Sequence, residues 1–540
     1  MGVFFVFAIR HIYRDIHFWL RYIMKLSRYR KDRDMHTKTV GNSPESYYIR
    51  NSFLFNPNLM KLKMMGTIRL TQKLGFILFV ILVGCKSQQE KVPHGHSHDT
   101  GHDHSHSHSH YPEHDSITAH KLMFPSRVPD RVIANLTADA AHSMAVNWRT
   151  DQQVEAGFVE IAVATDGPEF LLKDVRRVEA KSEIFQNQNS KEPLVKAVYH
   201  SAVVNNLQPK TTYVYRVGNG KEGNDGWSEW FQYTTASDTS GEPFSFIYFG
   251  DAQNNVKSLW SRVIRNSYRK FPEVNFMLHA GDLINDRDAN LEWGEWFYAG
   301  SFIHATVPSV MTPGNHEYRD GVLTSLWKPQ FTLPENGPIE ELKETCFAID
   351  YQDMKLISID SEGYDESMEA RAAQIKWLDS VLQSNTKKWI TIFTHYPVYS
   401  TKEGRDNWEL REGIKPLIDK YGVDLVLQGH DHTYARGYAD NKGKGLTVLD
   451  DAGTVYAVSV SGPKMYESQD QDWMVRRGEY TQLFQIITVT NDTIKYEAYT
   501  PIGNLYDAFD LIKKDGKKQL INRVPDSPIR LKKDFVREEK

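Results

Sequence analysis

Residues 244–286, FSFIYFGDAQNNVKSLWSRVIRNSYRKFPEVNFMLHAGDLIND, decide the fold. FSFIYFG and VNFMLHAG are apolar runs of strand length, and each stops at a Gly-Asp pair. Between them Val256, Leu259, Trp260, Val263 and Ile264 recur at helical spacing. Strand, helix and strand in this order predict the crossover of an α/β unit. A polar cluster directly after a buried strand lies at the carboxyl edge of a sheet, where open α/β folds bind ligands.

The pattern continues downstream. KLISID, WITIFTH and VDLVLQGH read as strands, and EARAAQIKWLDSVLQSN and ELREGIKPLIDKYG as the helices between them. VYAVSVSG, QLFQIITVT and TIKYEAYT add closing strands, so residues 243–515 predict two sheets face to face with helices outside. The charged segment 516–540 reads as a frayed tail.

Five loops in this unit carry FGDAQ, AGDLIND, PGNHEY, THYPVY and QGHDHTYAR, supplying Asp251, Asp282, Asn315, His395, His430 and His432. Carboxylate, amide and imidazole donors without a thiolate suit zinc, iron or manganese, singly or as a mixed pair. A bridging carboxylate can hold two cations ~3.5–4 Å apart, and His430 and His432 can serve different metals from one short loop. His142, His200, His279 and His304 read as core or surface histidines. Trp293, Trp296 and Phe297 read as core more than as a stacking surface for a base.

Upstream, RVIANLTA, SMAVNWRT, AGFVEIAVA, AVYHSAVVNNL, TTYVYRVG and SEWFQYTT predict an all-β sandwich over 125–237. Segment 86–124 holds the run HGHSHDTGHDHSHSHSH and reads as a disordered tether, either a solvated spacer or a weak metal chelator. Residues 60–85 place the basic positions Lys61, Lys63, Arg69 and Lys73 before the apolar run Leu74 to Val83, ending at Cys85. That run is about half the ~20 residues a membrane-spanning helix needs, and it reads as a signal peptide with a lipobox-like end. Residues 1–59 read as a start placed too far upstream, with Met60, Met64 and Met65 as alternatives, or as a disordered arm. With 65 Lys and Arg against 69 Asp and Glu, no global field favours nucleic acid as partner. Cys346 reads as a small buried hydrophobe.

The ordered motifs GD, GDLIN, GNHE, TH and GHDH resemble those of the calcineurin-like metallophosphoesterase superfamily. With Trp148, Thr150, Leu207, Pro209, Thr212, Tyr213 and Tyr215 upstream, the whole resembles purple acid phosphatases with their fibronectin type III-like amino-terminal domain. The resemblance implies that Asp282 bridges two metals, with Asp251 and His432 on the first and Asn315, His395 and His430 on the second. It implies that His316 binds the phosphoryl group or protonates the leaving oxygen, and that the enzyme hydrolyses phosphate monoesters with a metal-activated hydroxide. Resemblance to bacterial lipoprotein signals implies cleavage before Cys85, acylation of its thiol, and an exported protein anchored to a bacterial membrane, facing the periplasm or cell surface.

Two positions depart from the purple acid phosphatase pattern. Asn285 stands where the family has a metal-bound tyrosine, and Gln253 where many relatives in the wider superfamily have a ligating histidine. The expectation is that the Gln253 amide oxygen is a weak ligand of the first metal and that Asn285 orients His316. After His395 the loop offers Arg405 where further histidines are usual, either as a phosphate clamp or as an exposed loop arginine. Tyr434 either meets substrate or braces its loop. The alternative readings are a phosphodiesterase or nucleotide-cleaving enzyme on the same centre, and a surface metal-binding lipoprotein whose histidine tract is the working part.

Overall fold

The computed structural model describes residues 119–535 apart from 174, 188, 190, 403 and 439–444. The readings of residues 1–59 and 60–85, and the histidine run of 86–124, lie outside the described residues. Residues 119–123 are helical, which corrects the carboxyl end of the predicted tether. The carbonyls of Leu122 and Met123 accept from the buried guanidiniums of Arg131 and Arg149, and these bonds fix the segment. Among the described residues no helix is long and apolar enough to cross a membrane.

The amino-terminal region is a β-sandwich. One sheet runs Arg176–Glu179, Phe158–Val163, Thr212–Gly218, Phe231–Thr234, and the other Asp130–Asn135, Met144–Thr150, Lys196–Val204, Lys181–Gln186. Trp148, Val159, Ile161, Tyr215 and Tyr233 fill the space between them. The strands Arg176–Glu179 and Lys181–Gln186 escape the sequence pattern because both are sheet edges with no buried residue, so neither alternates apolar with polar positions.

The second of these sheets does not stop at the domain boundary. Asp130–Asn135 pairs in parallel with Ser309–Thr312 through Asn135 and Ser309, giving one twelve-stranded sheet. Arg131 reinforces the seam, donating to Tyr199 Oη, Gln330 Oε1 and the Asn290 carbonyl at 2.9–3.1 Å. The sandwich is therefore joined to the α/β unit through one sheet and the Arg131 hydrogen bonds to Gln330 and Asn290.

In the α/β unit the shared sheet continues through Phe276–Ala280, Phe244–Phe249, Phe484–Val489, Thr493–Tyr499, Leu505–Lys514 and Lys517–Asn522. The facing sheet contains Met354–Ile359, Trp389–Thr394, Leu425–Gln428 and Val455–Val458 as parallel neighbours. Phe246, Tyr248 and Leu278 from the first meet Leu356, Phe393 and Leu427 from the second in one core. Helices Met368–Gln383 and Trp408–Tyr421 cover the outer side, burying Leu378, Leu382, Ile414 and Ile418 against Ile357, Ile392 and Val426. Trp293, Trp296 and Phe297 lie in the core, on helix Asn290–Gly300. Cys346 is fully buried and unpaired.

The predicted frayed tail is corrected. Asp515 and Gly516 both take positive φ and turn the chain into strand Lys517–Asn522, which buries Leu520. An Asp-Gly pair is the usual turn for such a hairpin, but its flanking lysines hid the strand. Lys518 Nζ crosses to the buried Asp424 at 2.9 Å, so its charge is matched inside the fold.

Candidate metal centre

The five polar loops leave the carboxyl ends of Phe244–Phe249, Phe276–Ala280, Ser309–Thr312, Trp389–Thr394 and Leu425–Gln428, and converge. Asp282, His395 and His430 place one ligand atom each within 4.8 Å of one another, and so do Asp251, Asp282 and His432. Asp282 is common to both groups. Asn315 joins the first group, its Oδ1 3.2 Å from His395 Nε2. The two sets are those expected for two metals bridged by Asp282.

The loops reach this geometry through sharp turns. Asp251, Asp282, His430 and His432 all adopt positive φ, a conformation that costs a non-glycine residue of order 1–3 kcal/mol. Glycines supply the room: a Cβ on Gly314 would stand 2.2 Å from Asp282 Oδ1. Buried backbone and side-chain partners hold each ligand. His395 Nδ1 bonds the Ala280 carbonyl at 2.8 Å and His432 Nδ1 the Lys464 carbonyl at 2.9 Å, which leaves both Nε2 atoms facing the carboxylates.

The electrostatics suit cations. Burial, with Asp282 beside it, pushes the Asp251 carboxyl well above the usual range. Burial also opposes ionisation of Asp282, but His395, 3.3 Å away, overcomes it and holds Asp282 well below that range. Burial pushes His432 down to about 3 and His430 well below its usual value, so both imidazoles are neutral and available as ligands. Among the described residues neither Asp251 nor Asp282 is paired with a lysine or arginine. Burial opposes a charge on His395, but Asp282 holds it up to about 10, so His395 is the cation whose place a metal would take; two buried carboxylates, three imidazoles and an amide fit a dinuclear metal site.

His316 stands at the open edge. Its side chain is 25% exposed, against 3% or less for Asp251, Asp282, His395 and His432. Its Nδ1 bonds the Asn285 carbonyl, and Nε2 lies 3.9 Å from Asp282 Oδ2. Asn285 thus orients His316, through its backbone.

Two expectations need correction, and for Tyr434 the structure decides between the alternatives. The Gln253 side chain donates its nitrogen to Asp282 Oδ2 and turns its oxygen to Lys464 Nζ at 3.0 Å, away from a metal-ligand role. An ammonium can only donate, so Lys464 fixes this orientation. Arg405 neither clamps the site nor lies free: its Nη1 binds the His430 carbonyl at 3.0 Å and the buried Asp431 at 2.8 Å. Tyr434 is fully buried and donates to Asp507 at 2.7 Å, so it braces the strand and cannot reach substrate.

Sequence reading missed a sixth segment, SGPKMY at 461–466. Gly462 N–H binds the Asp251 carbonyl at 2.7 Å, and Tyr466 N–H the His432 carbonyl at 3.1 Å. It carries no metal-ligand residue type, and the only signal was a glycine after the strand VYAVSVS. Glu317 also proves central, accepting the N–H groups of Asp282, Leu283 and Gly314 at 2.7–3.0 Å.

Residues 244–434 match the family "Calcineurin-like phosphoesterase", the class that this fold and site define. Residues 129–235 match "Purple acid Phosphatase, N-terminal domain". The chain therefore carries a purple acid phosphatase amino-terminal domain followed by a calcineurin-like phosphoesterase domain. It is similar to acid phosphatase type 7 of Danio rerio, 27% identical over 47% of this chain and 60% of that protein. The mouse (Mus musculus) protein of that name is 29% identical over 45% of this chain and 57% of its own. The matched segment thus spans less than two thirds of these relatives' length. A purple acid phosphatase from yellow lupin (Lupinus luteus) seeds shares the fold, with a TM-score of 0.59, 17% identity, and coverage of 72% of this chain and 75% of that one.

Proposed function

We propose that this protein hydrolyses phosphate monoesters. The observation that carries the reading is that Asp282 is common to two ligand groups while His316, 25% exposed, faces the same carboxylate. Asp251 and His432 would hold one ion, Asn315, His395 and His430 the other, and Asp282 both. Bound there, two cations polarise the phosphoryl oxygens and lower the pKa of water. His316 donates Nδ1–H to the Asn285 carbonyl, so Nε2 is the nitrogen that faces the site and the one from which a proton can reach the substrate. As a water oxygen bonds to phosphorus and the ester P–O bond breaks, that proton passes to the departing oxygen. An exported, lipid-anchored placement belongs to the same proposal and is supported by residues 60–85 of the sequence.

The test is turnover of p-nitrophenyl phosphate and bis(p-nitrophenyl) phosphate by metal-loaded protein. The monoester should win by more than roughly tenfold in kcat/KM, about 1.4 kcal/mol of transition-state binding. A diester preference of that size would assign the site to phosphodiesters instead.

A further inference from the structure

Segment 461–466 has a second neighbour besides the metal ligands. Its Pro463 and Met465 line a cavity of about 390 Å³ together with Arg262, Arg530, Pro501 and Ile502. Two cations stand in that lining, and no carboxylate does. Among the described residues neither Arg262 nor Arg530 is paired with an acidic side chain. Arg530 is held in place: its Nε donates to Thr481 Oγ1 at 2.5 Å, and its guanidinium lies over the Phe535 ring, 4.4 Å from the centroid. Its terminal nitrogens keep their donor capacity. Glu479, whose N–H donates to the Arg530 carbonyl, turns its own carboxylate to Ser468, the Lys532 N–H and Arg477.

We infer that this cavity is a second binding site, separate from the metal centre, for a phosphorylated organic molecule. Its phosphate meets Arg262 and Arg530, whose planar donor forks match the oxygens of a phosphate group. Its carbon skeleton lies against Pro463, Met465, Pro501 and Ile502, and covering Ile502, 75% exposed, adds the gain of removing apolar surface from water. Because Arg262 is exposed, the attraction is weakened by salt. The site shares no residue with the metal centre. It touches that centre only through the chain, since Gly462 and Tyr466, beside Pro463 and Met465, donate their N–H groups to the carbonyls of Asp251 and His432.

The test is calorimetric titration of metal-saturated, full-length protein with phenylphosphonate, a non-hydrolysable probe. The parent protein is expected to bind one more phenylphosphonate per chain than the double variant Arg262→Met, Arg530→Met. Whatever the metal centre binds is common to both proteins, so the difference reads the cavity alone. Ile502→Glu, which sets a carboxylate beside the arginines at an exposed position, should weaken the same site at least tenfold. Inorganic phosphate, which has no carbon skeleton to lay on the apolar wall, should bind there at least threefold more weakly than phenylphosphonate. Equal numbers bound by parent and double variant, an additional site that Ile502→Glu leaves intact, or inorganic phosphate bound there as tightly as the phosphonate would each overturn the inference.

Discussion

Glu317 Oε2 accepts the backbone N–H of Asp282 at 3.0 Å and that of Gly314 at 2.7 Å, binding two ligand loops to one buried carboxylate. Burial and the nearby Asp282 raise Glu317 to about 8, so the loops are joined by a group that sits uneasily in their interior. Glu317→Gln would turn an amide NH₂ toward N–H donors. The expected cost is about 2–3 kcal/mol in chemical denaturation. Metal affinity, followed by titration with zinc, should fall roughly 10–100-fold.

Asp507 receives Tyr434 Oη, and Arg436 through Nε and Nη2, at 2.7–2.9 Å, with Arg436 and Asp507 fully buried. Asp507→Asn leaves a buried guanidinium without its charge partner and should cost about 3–5 kcal/mol. Tyr434→Phe should cost only about 1 kcal/mol and leave KM unchanged, because Tyr434 does not face substrate. Denaturation curves and steady-state kinetics at a temperature where both variants are folded check this.

His200 lies in the sandwich, stacked on Trp148 and bonded to Thr150 and Ser182 at 2.8 Å each. Burial pushes it down to about 4. The unfolded chain takes up this proton near pH 6.5 and the native chain only near 4, so its contribution is intact above 6.5 and is lost as pH falls through that window. The loss should approach roughly 3 kcal/mol, and His200→Gln should flatten the slope. Denaturation midpoints measured from pH 7 to pH 4 give the answer.

Asn285 offers a backbone carbonyl to His316 and no phenolate to a metal. Protein loaded with ferric iron should therefore lack a strong visible charge-transfer band, which absorbance spectroscopy reads directly. A purple product would show that another tyrosine has entered the coordination sphere.

The convergence of the six candidate ligand residues was legible because each follows an apolar strand, so local pattern and sheet topology fixed their common edge. What escaped depends on contacts across the chain. The Gln253 orientation is set by Lys464, and the place of Arg405 by Asp431, partners far apart in sequence. Strand Lys517–Asn522 hid behind its lysines, of which Lys518 is matched by Asp424 only after folding. The seam between Asn135 and Ser309, which joins a sheet of each predicted domain, likewise forms between residues far apart in sequence.

Anomalous X-ray scattering from crystals of zinc-saturated protein lacking the histidine run of residues 94–114 tests the central claim most directly. Two peaks ~3.5–4 Å apart, flanking the Asp282 carboxylate, are predicted. A single peak, or metal bound away from Asp282, would contradict the dinuclear centre.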